Sequence, residues 1–596
     1  MLILQEIQFP AIGDLHIDMY MRGDFKKSRL DSAGKLLFAS QGDSISFDTY
    51  FNSFSYEKWR KYTVLEVVSL ELRLRGTFEV ALVQWVLGDE PERFVLRGEK
   101  VYADAFTKKV FAFEPLYERG VLAFELKALS EDAVFCGGAY ITNKIDLPPV
   151  NIAVCICTFR REAFVKRAIA ELESLQDGGL KDHWRCYVAD NGRTLDAGAF
   201  SSERVRVLPN MNGGGSAGFA RAMLAALDDR EKYGLTHCLL MDDDVVFTRY
   251  AVERAGAFLR LLKDECRGAT LGGAMLLLGK PDVQWEAGAR MDMNELTPLK
   301  SGYRLSSLTD VLKNELEESV NYLAWYFCCF PLNDELRKNL PLPLFFQYDD
   351  VEFSLRNRAW RITLNGVCVW HESFDKKRSI TKDCYYGIRN RLITLALHPE
   401  AFRGGAFSKT RLKIFLFIKT AFRLLTYRYK DAELVVRAGE DFLRGIDWLA
   451  SVEPEALNRE IADVTEPLLD IKTPLAGFEP RKSPQKPPSE NKFRRLLRFC
   501  LFNGVFFPAW REIILSEEDA RSRNFFFVRR AVFFNPWTRK GYVAEKSLRR
   551  MFKALARLLR LFGAIDKSFT PAVKQYRERF PTVVSEGFWR RFLRLS

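Results

Sequence analysis

Two kinds of hydrophobic patterning divide this chain. Up to residue 148 the apolar positions come in short alternating segments, Thr63–Leu74 and Phe106–Phe113 among them, separated by Gly, Asp and Pro. A period of two broken by turn residues is what strands with one buried and one wet face produce. Residues 1–148 are therefore expected to form an antiparallel β-sandwich, closed by Pro148-Pro149. The pattern then changes. Residues 150–159 (VNIAVCICTF) are a continuous apolar run, the mark of a strand covered on both faces. A helix is expected over 161–176, where Phe164, Ala168, Leu172 and Leu175 share a face. Strands follow at 184–189 and 204–208, a helix at 216–232 and a strand at 236–241. This alternation predicts an α/β domain over 149–404, with a parallel sheet covered by helices.

Beyond residue 404 the spacing turns helical. Residues 405–471 read as a helical domain, 472–491 as a Pro/Lys/Ser linker, and 492–596 as a basic region made mainly of helices. Charge sharpens that division. The chain carries 90 Lys and Arg against 77 Asp and Glu, a net +13. Residues 481–596 alone hold 27 against 9, so the excess belongs to the last fifth and the remainder is slightly acidic. A basic, aromatic-rich module calls for an anionic partner. In 545–562 (EKSLRRMFKALARLLRLF), Leu548, Met551, Phe552, Leu555, Leu559 and Phe562 form one stripe flanked by Lys and Arg, the profile of a helix lying in a membrane interface. The bland alternative is a helix covering the protein's own core. No nucleic-acid-binding signature appears, and none is expected as a partner.

Composition excludes several classes. The 596 residues exceed one small core, and charge density with ordinary Gly and Pro content excludes collagen, coiled coil and wholesale disorder. Eleven Cys, an odd number without a CxxC, exclude a disulfide scaffold and point to a reducing compartment. The opening residues lack a basic stretch before the apolar start, so no secretory leader is expected. The best apolar run, 412–427, is interrupted by Lys413, Lys419 and Arg423, so no membrane span is expected either.

Candidate chemistry collects at the predicted strand ends, where open parallel sheets bind ligands. Asp242-Asp243-Asp244 follows the apolar LLM; in an extended backbone the first and third carboxylates share a face and suit one hard divalent ion, Mg²⁺ or Mn²⁺. A solvated acidic turn is the alternative. Asn212–Phe219 (NGGGSAGF) contains a literal GxGxxG, but after the third strand instead of the first, which argues against a dinucleotide fold. Its glycines still let backbone approach an anion at a helix start. Asp349 and Asp350 in QYDDVE form a carboxylate pair suited to general-base work, or an ordinary helix start. Trp370-His371-Glu372 ends an apolar strand, and His371 has no metal role assigned by spacing alone.

Taken together, CTFRRE, NGGGSAGF, LLMDDDV, LAWYFCCFP, LPLFFQYDDVEFSLR, VCVWHESF and YYGIRNRLITLALH, in this order across roughly residues 150–400, resemble the bacterial polymerising galactofuranosyltransferases. The resemblance implies an inverting, metal-dependent glycosyltransferase of GT-A fold with an N-terminal β-sandwich and a helical C-terminal region. It implies Asp242, Asp244 and His371 as metal ligands and Asp350 as catalytic base. Arg161 and Asp190 would line the uridine end of the donor, with Asn212, Gly213, Gly214, Gly215 and Asp243 around the sugar diphosphate. Glu286, Trp325, Tyr326, Asp349 and Trp370 would contact acceptor or sugar. The chain departs from the family in carrying Tyr326 for a second Trp and Gln347-Tyr348 for Lys-Trp.

The expected activity is galactofuranose transfer from UDP-galactofuranose to a hydroxyl of a lipid-linked surface glycan, with Mn²⁺ or Mg²⁺ as cofactor. The enzyme is expected in the cytoplasm, peripheral at the inner face of the cell membrane, with homo-oligomerisation left open. Two alternatives stand beside it: a GT-A transferase for another donor such as a rhamnosyl nucleotide, and a non-catalytic membrane- or polyanion-binding scaffold.

Overall fold

The computed structural model describes residues 1–596 except 11–15, 24–27, 32–36, 144–146, 176–179, 293–294, 374–381, 400–406, 467–468, 471–495, 497, 499–500, 517–519, 536–538 and 596. The linker expected at 472–491 lies outside the described residues. The chain forms two compact units: residues 1–341, 350–373 and 584–596 make the first, and 342–349 with 374–583 the second.

In the first unit the N-terminal strands form one nine-stranded sheet in which every pairing is antiparallel. Its spine is a hairpin of two long strands, Ser69–Leu87 and Pro91–Ala112. The first half of Ser69–Leu87 pairs with Val134–Thr142 and the second half with Val121–Ala128, with a register break between. The Phe47 ring stacks on Phe124 at 4.3 Å and meets Phe135 edge-on at 5.3 Å, so the two halves share one aromatic core. The expected sandwich is thus built from one continuous sheet, because its central strands are long enough to serve both layers.

The α/β part follows the sequence pattern closely. The strands Ile152–Thr158, Trp184–Asp190, Val205–Pro209 and His237–Asp242 are parallel, with Ile152–Thr158 between Trp184–Asp190 and His237–Asp242. The chain winds outward to Val205–Pro209 and then crosses back to His237–Asp242. Ile152–Thr158 is therefore the point where strand order reverses, and its carboxyl end is where such sheets open a crevice. The sheet continues through Cys328–Pro331, Thr270–Leu277 and Lys280–Glu286, and Arg361–His371 runs parallel to Thr270–Leu277. Ile152, Val154 and Ile156 are completely buried, as the unbroken apolar run requires. The helix Gly214–Asp228 lies so close to the sheet that a Cβ on Gly218 would overlap Cys157 Sγ.

The second unit contains helices Lys409–Leu424, Tyr429–Leu443, Gly445–Ser451, Pro454–Asp463 and the 36-residue Leu548–Val583. The expectation that 492–596 is mainly helical needs correction. Arg511–Leu515, Val528–Asn535 and Lys540–Glu545 form a sheet with Leu469–Asp470, because Val and Phe pack well on a pleated surface. Nor is 492–596 one body. Its last helix, Glu586–Phe592, belongs to the first unit: Trp589 is fully buried and its indole N–H donates to the Pro341 carbonyl at 2.9 Å. Among the described residues, no helix is long and apolar enough to cross a membrane.

Candidate active site

The aspartate run closes the strand His237–Asp242, with Asp242 in register with Cys157. Asp243 is consumed locally. Its Oδ2 accepts from the Thr158 hydroxyl at 2.8 Å and the Phe159 amide at 3.2 Å, stitching two strand ends together. The strand ends at Asp242 and the chain turns through Asp243 and Asp244, so a turn, and not the alternation expected of an extended run, sets Asp242 and Asp244 together. What brings His371 to them is a short bridge: Val246 and Trp370 exchange both backbone hydrogen bonds, at 2.8 and 2.7 Å. The chain just after the aspartates is thereby pinned to the end of Arg361–His371.

One ligand atom from each of Asp242, Asp244 and His371 falls within 4.8 Å of the others. His371 Nε2 lies 3.1 Å from Asp244 Oδ1. Its other ring nitrogen, Nδ1, is 2.5 Å from the Glu372 carbonyl, which can only accept. That bond places the proton on Nδ1 and leaves the Nε2 lone pair toward the carboxylates, the second-shell arrangement usual for a metal-binding imidazole. Two carboxylates and one oriented imidazole fit a divalent cation. Arg161 borders the same cluster, with Nη1 3.3 Å from Asp244 Oδ2 and Nε 3.8 Å from Asp243 Oδ1.

The glycine loop stands on the next strand ends. Gly214 has φ +74°, a backbone that favours glycine, and opens a fifteen-residue helix whose positive end suits an anion. Asn212 Oδ1 lies 3.4 Å from the Gly214 amide, and beneath the loop Asn191 donates to the Gly214 carbonyl at 2.9 Å. Gly213 caps the helix and Gly215 lies in its first turn. Asp190 is buried, and its carboxylate accepts from the amides of Gly192, Thr194 and Leu195 at 2.7–2.9 Å. Its visible work is holding the loop, so the expected uridine contact gains no support.

A second pair of carboxylates has a different setting. Glu286 ends its strand fully buried and accepts from the Tyr326 hydroxyl at 3.1 Å. Burial pushes its pKa up to about 8; the Tyr326 bond opposes the rise and the nearby Asp350 charge adds to it. Asp350 stands in the first turn of Asp349–Arg356, and burial pushes it up to about 6 against the Val351 amide, which donates to Oδ1 at 2.7 Å. A carboxylate of that kind is poised for proton transfer near neutral pH. Asp349 opens the helix, while Glu352 is fully buried and ion-paired with Arg356 at 3.0 Å. Trp325 is wedged edge-on between Phe219, from the glycine-loop helix, and Phe353, from the Asp350 helix, at 5.1 and 5.6 Å. Its buried indole N–H has no hydrogen-bond partner among the described residues, a donor that a ligand oxygen would satisfy.

Trp370 is not brought to the cluster. Neighbours on a strand point to opposite faces, so while His371 faces the aspartates, Trp370 donates to the Pro281 carbonyl at 3.0 Å and packs toward Phe51. The expectation of a sugar contact there is corrected. Phe219 and Phe353, which bracket Trp325, lie inside the quoted motifs NGGGSAGF and LPLFFQYDDVEFSLR but were not singled out as site residues.

The family model described as Galactofuranosyltransferase 2 N-terminal matches residues 5–142. Galactofuranosyltransferase GlfT2 of Mycolicibacterium smegmatis is 26% identical over 596 aligned positions, covering 92% of this chain and 88% of the relative. Both findings are similarities to galactofuranosyltransferases, and the second extends over most of the chain. The GlfT2 of Mycobacterium tuberculosis is likewise 26% identical, over 69% of this chain and 67% of the relative. Among solved structures, the mannosyltransferase PcManGT from Pyrobaculum calidifontis, in complex with GDP-Man and Mn²⁺, is a distant likeness. Its TM-score is 0.27 at 14% identity, over 54% of this chain and 84% of that one. The chain is a glycosyltransferase by these similarities, and its α/β sheet carries the candidate carboxylates at its strand ends.

Proposed function

We propose that this glycosyltransferase transfers galactofuranose from UDP-galactofuranose to a glycan hydroxyl, with inversion at the anomeric carbon. The observation that carries the reading is the presence of two unlike carboxylate groups: Asp242 and Asp244 beside an oriented His371, and Asp350 and Glu286 with raised proton affinity. Asp242, Asp244 and His371 would hold Mn²⁺ or Mg²⁺, which when bound neutralises the diphosphate and stabilises its departure. The glycine loop 212–215 would take the diphosphate at its helix start, with Arg161 alongside. Asp350 would accept the proton of the attacking hydroxyl. Glu286, largely protonated at neutral pH, would donate to a sugar oxygen, and Trp325 would exclude water and offer its unpaired N–H. One displacement requires no enzyme nucleophile.

The acceptor side favours a lipid-linked glycan. On the second unit, Ile414, Phe417 and Ile418 are more than half exposed along Lys409–Leu424, as are Phe552 and Leu559 on Leu548–Val583. Lys and Arg flank these stripes, the combination that docks on an anionic bilayer. The stripe expected on 548–562 divides in two: Met551 and Leu558 turn inward, while Phe552 and Leu559 face water.

Incubating the protein with UDP-galactofuranose, Mn²⁺ and a synthetic galactofuranosyl acceptor should add galactofuranose residues in one anomeric configuration, read by mass and linkage analysis. Transfer only from another nucleotide sugar would replace the donor assignment. In the same preparation, anionic vesicles should co-sediment the protein and release it as salt rises. Sedimentation indifferent to salt and to lipid charge would remove the membrane reading.

A further inference from the structure

A cavity of about 660 Å³ in the first unit lies away from the carboxylates, lined by Lys58, Lys300, the Glu317–Val320 loop and Arg358–Thr363. That volume is in the range of ligand sites. Its position is fixed by the strand Arg361–His371: Thr363 lines the cavity near one end and His371 meets the aspartates at the other. The strand bulges at Gly366, so the neighbouring strand matches the same interval with Gly272–Leu277, a span of roughly 17 Å.

The lining is unusual in what it buries. Lys58 and Lys300 are only 3% and 6% exposed. Lys58 Nζ donates to the Thr363 carbonyl at 2.6 Å and is 3.4 Å from that of Asn314, to which Lys300 Nζ also donates at 2.5 Å. An ammonium has three donors, so these bonds leave some over. Burial, and the neighbouring Lys58 charge, hold the Lys300 amine well below its usual range. Two like charges sunk together cost stability that a merely structural junction would avoid. Glu265, Glu317 and Glu318 line the same cavity, so the ammoniums have carboxylate company and a free anion would meet repulsion. At the rim, Trp360 is 49% exposed, its ring edge-on to Tyr62 at 5.7 Å, and its carbonyl is anchored by the Thr270 amide at 2.7 Å. Donors, acceptors and a fixed, half-open indole face together match a neutral polyhydroxylated ligand: the indole stacks on a sugar ring while Lys and Glu bond its hydroxyls.

We propose that this cavity is a glycan-binding subsite, remote from the catalytic carboxylates, that holds an already formed segment of the oligosaccharide being extended. The assignment of its ligand as the enzyme's own glycan rests on the proposed function; the cavity's sugar-binding chemistry does not. Held roughly 17 Å along that strand from His371, the glycan stays bound between successive additions, so the subsite lengthens products without touching the chemical step.

The test uses the full chain and its Trp360→Ala variant, with Lys300→Met as a second variant that leaves the indole in place. Binding of a synthetic galactofuranosyl hexasaccharide, and of hexasaccharides of other sugars, is measured by calorimetry; product length is read by mass spectrometry. Trp360→Ala should weaken hexasaccharide binding about fivefold or more and shorten the products, with kcat on a disaccharide acceptor unchanged. Lys300→Met should weaken binding in the same direction. Unchanged hexasaccharide affinity and product length in both variants would overturn the subsite even if galactofuranose transfer is intact. A Trp360-dependent affinity for a different hexasaccharide, with no galactofuranose transfer, would instead sustain the cavity and displace the proposed activity.

Discussion

The two carboxylate groups at the sheet use the same side-chain chemistry in opposite surroundings. Asp243 and Asp244 stand beside the Arg161 guanidinium, with the Thr158 hydroxyl on Asp243 and the His371 imidazole against Asp244. Glu286 and Asp350 are both pushed upward by burial, and the Asp350 charge adds to the rise at Glu286. The lesson is that residue type does not assign role: a carboxylate among cations is a ligand, and a carboxylate among carboxylates is a proton carrier.

The comparison breaks most sharply at Asp350. Asp350→Asn should lower turnover by about two to four orders of magnitude while nucleotide-sugar binding stays within a few fold. In the parent enzyme, activity should fall as pH drops through about 6, where that carboxylate protonates. Near-normal turnover in the variant would remove the base assignment. Next in size is Asp244→Ala, which should raise the Mn²⁺ concentration needed for half-maximal activity by about tenfold or more; an unchanged metal titration would dissolve the ligand cluster. The smallest effect concerns stability. Glu286 goes from its ordinary 4.5 to about 8 on folding, so the folded state holds the proton more tightly. Its contribution is complete below pH 4.5 and is lost as pH rises through 8. Glu286→Gln should therefore flatten the melting temperature over that window, and an unaltered pH slope would show that its proton is not retained.

Much of this was legible in the sequence because buried parallel strands announce themselves. The run at 152–158 is apolar almost throughout, those at 184–190 and 237–242 have apolar centres, and the polar residues gathered at their carboxyl ends suggested a site. The proposed metal ligands and the proposed base came from the resemblance to family motifs. Trp370 was misplaced because a motif is read as neighbours in sequence, whereas alternation sends adjacent side chains to opposite faces. The strands at 511–545 were missed because Lys and Arg interleaved with Phe mimic an amphipathic helix. The helix Leu548–Val583 runs on past the 545–562 stripe and through Pro571 and Pro581, residues that disfavour a helix interior. Glu286 and Tyr326 could be named as contacts, but only the fold could show that they hold each other.

The two-residue clasp between Val246 and Trp370 also sets the order in which the enzyme becomes competent. The aspartates leave the ribosome well over a hundred residues before their imidazole partner, and nothing local joins them. A nascent polypeptide therefore carries half a cation trap through most of its synthesis. It acquires the other half only when a late strand docks and completes a contact of very long sequence separation.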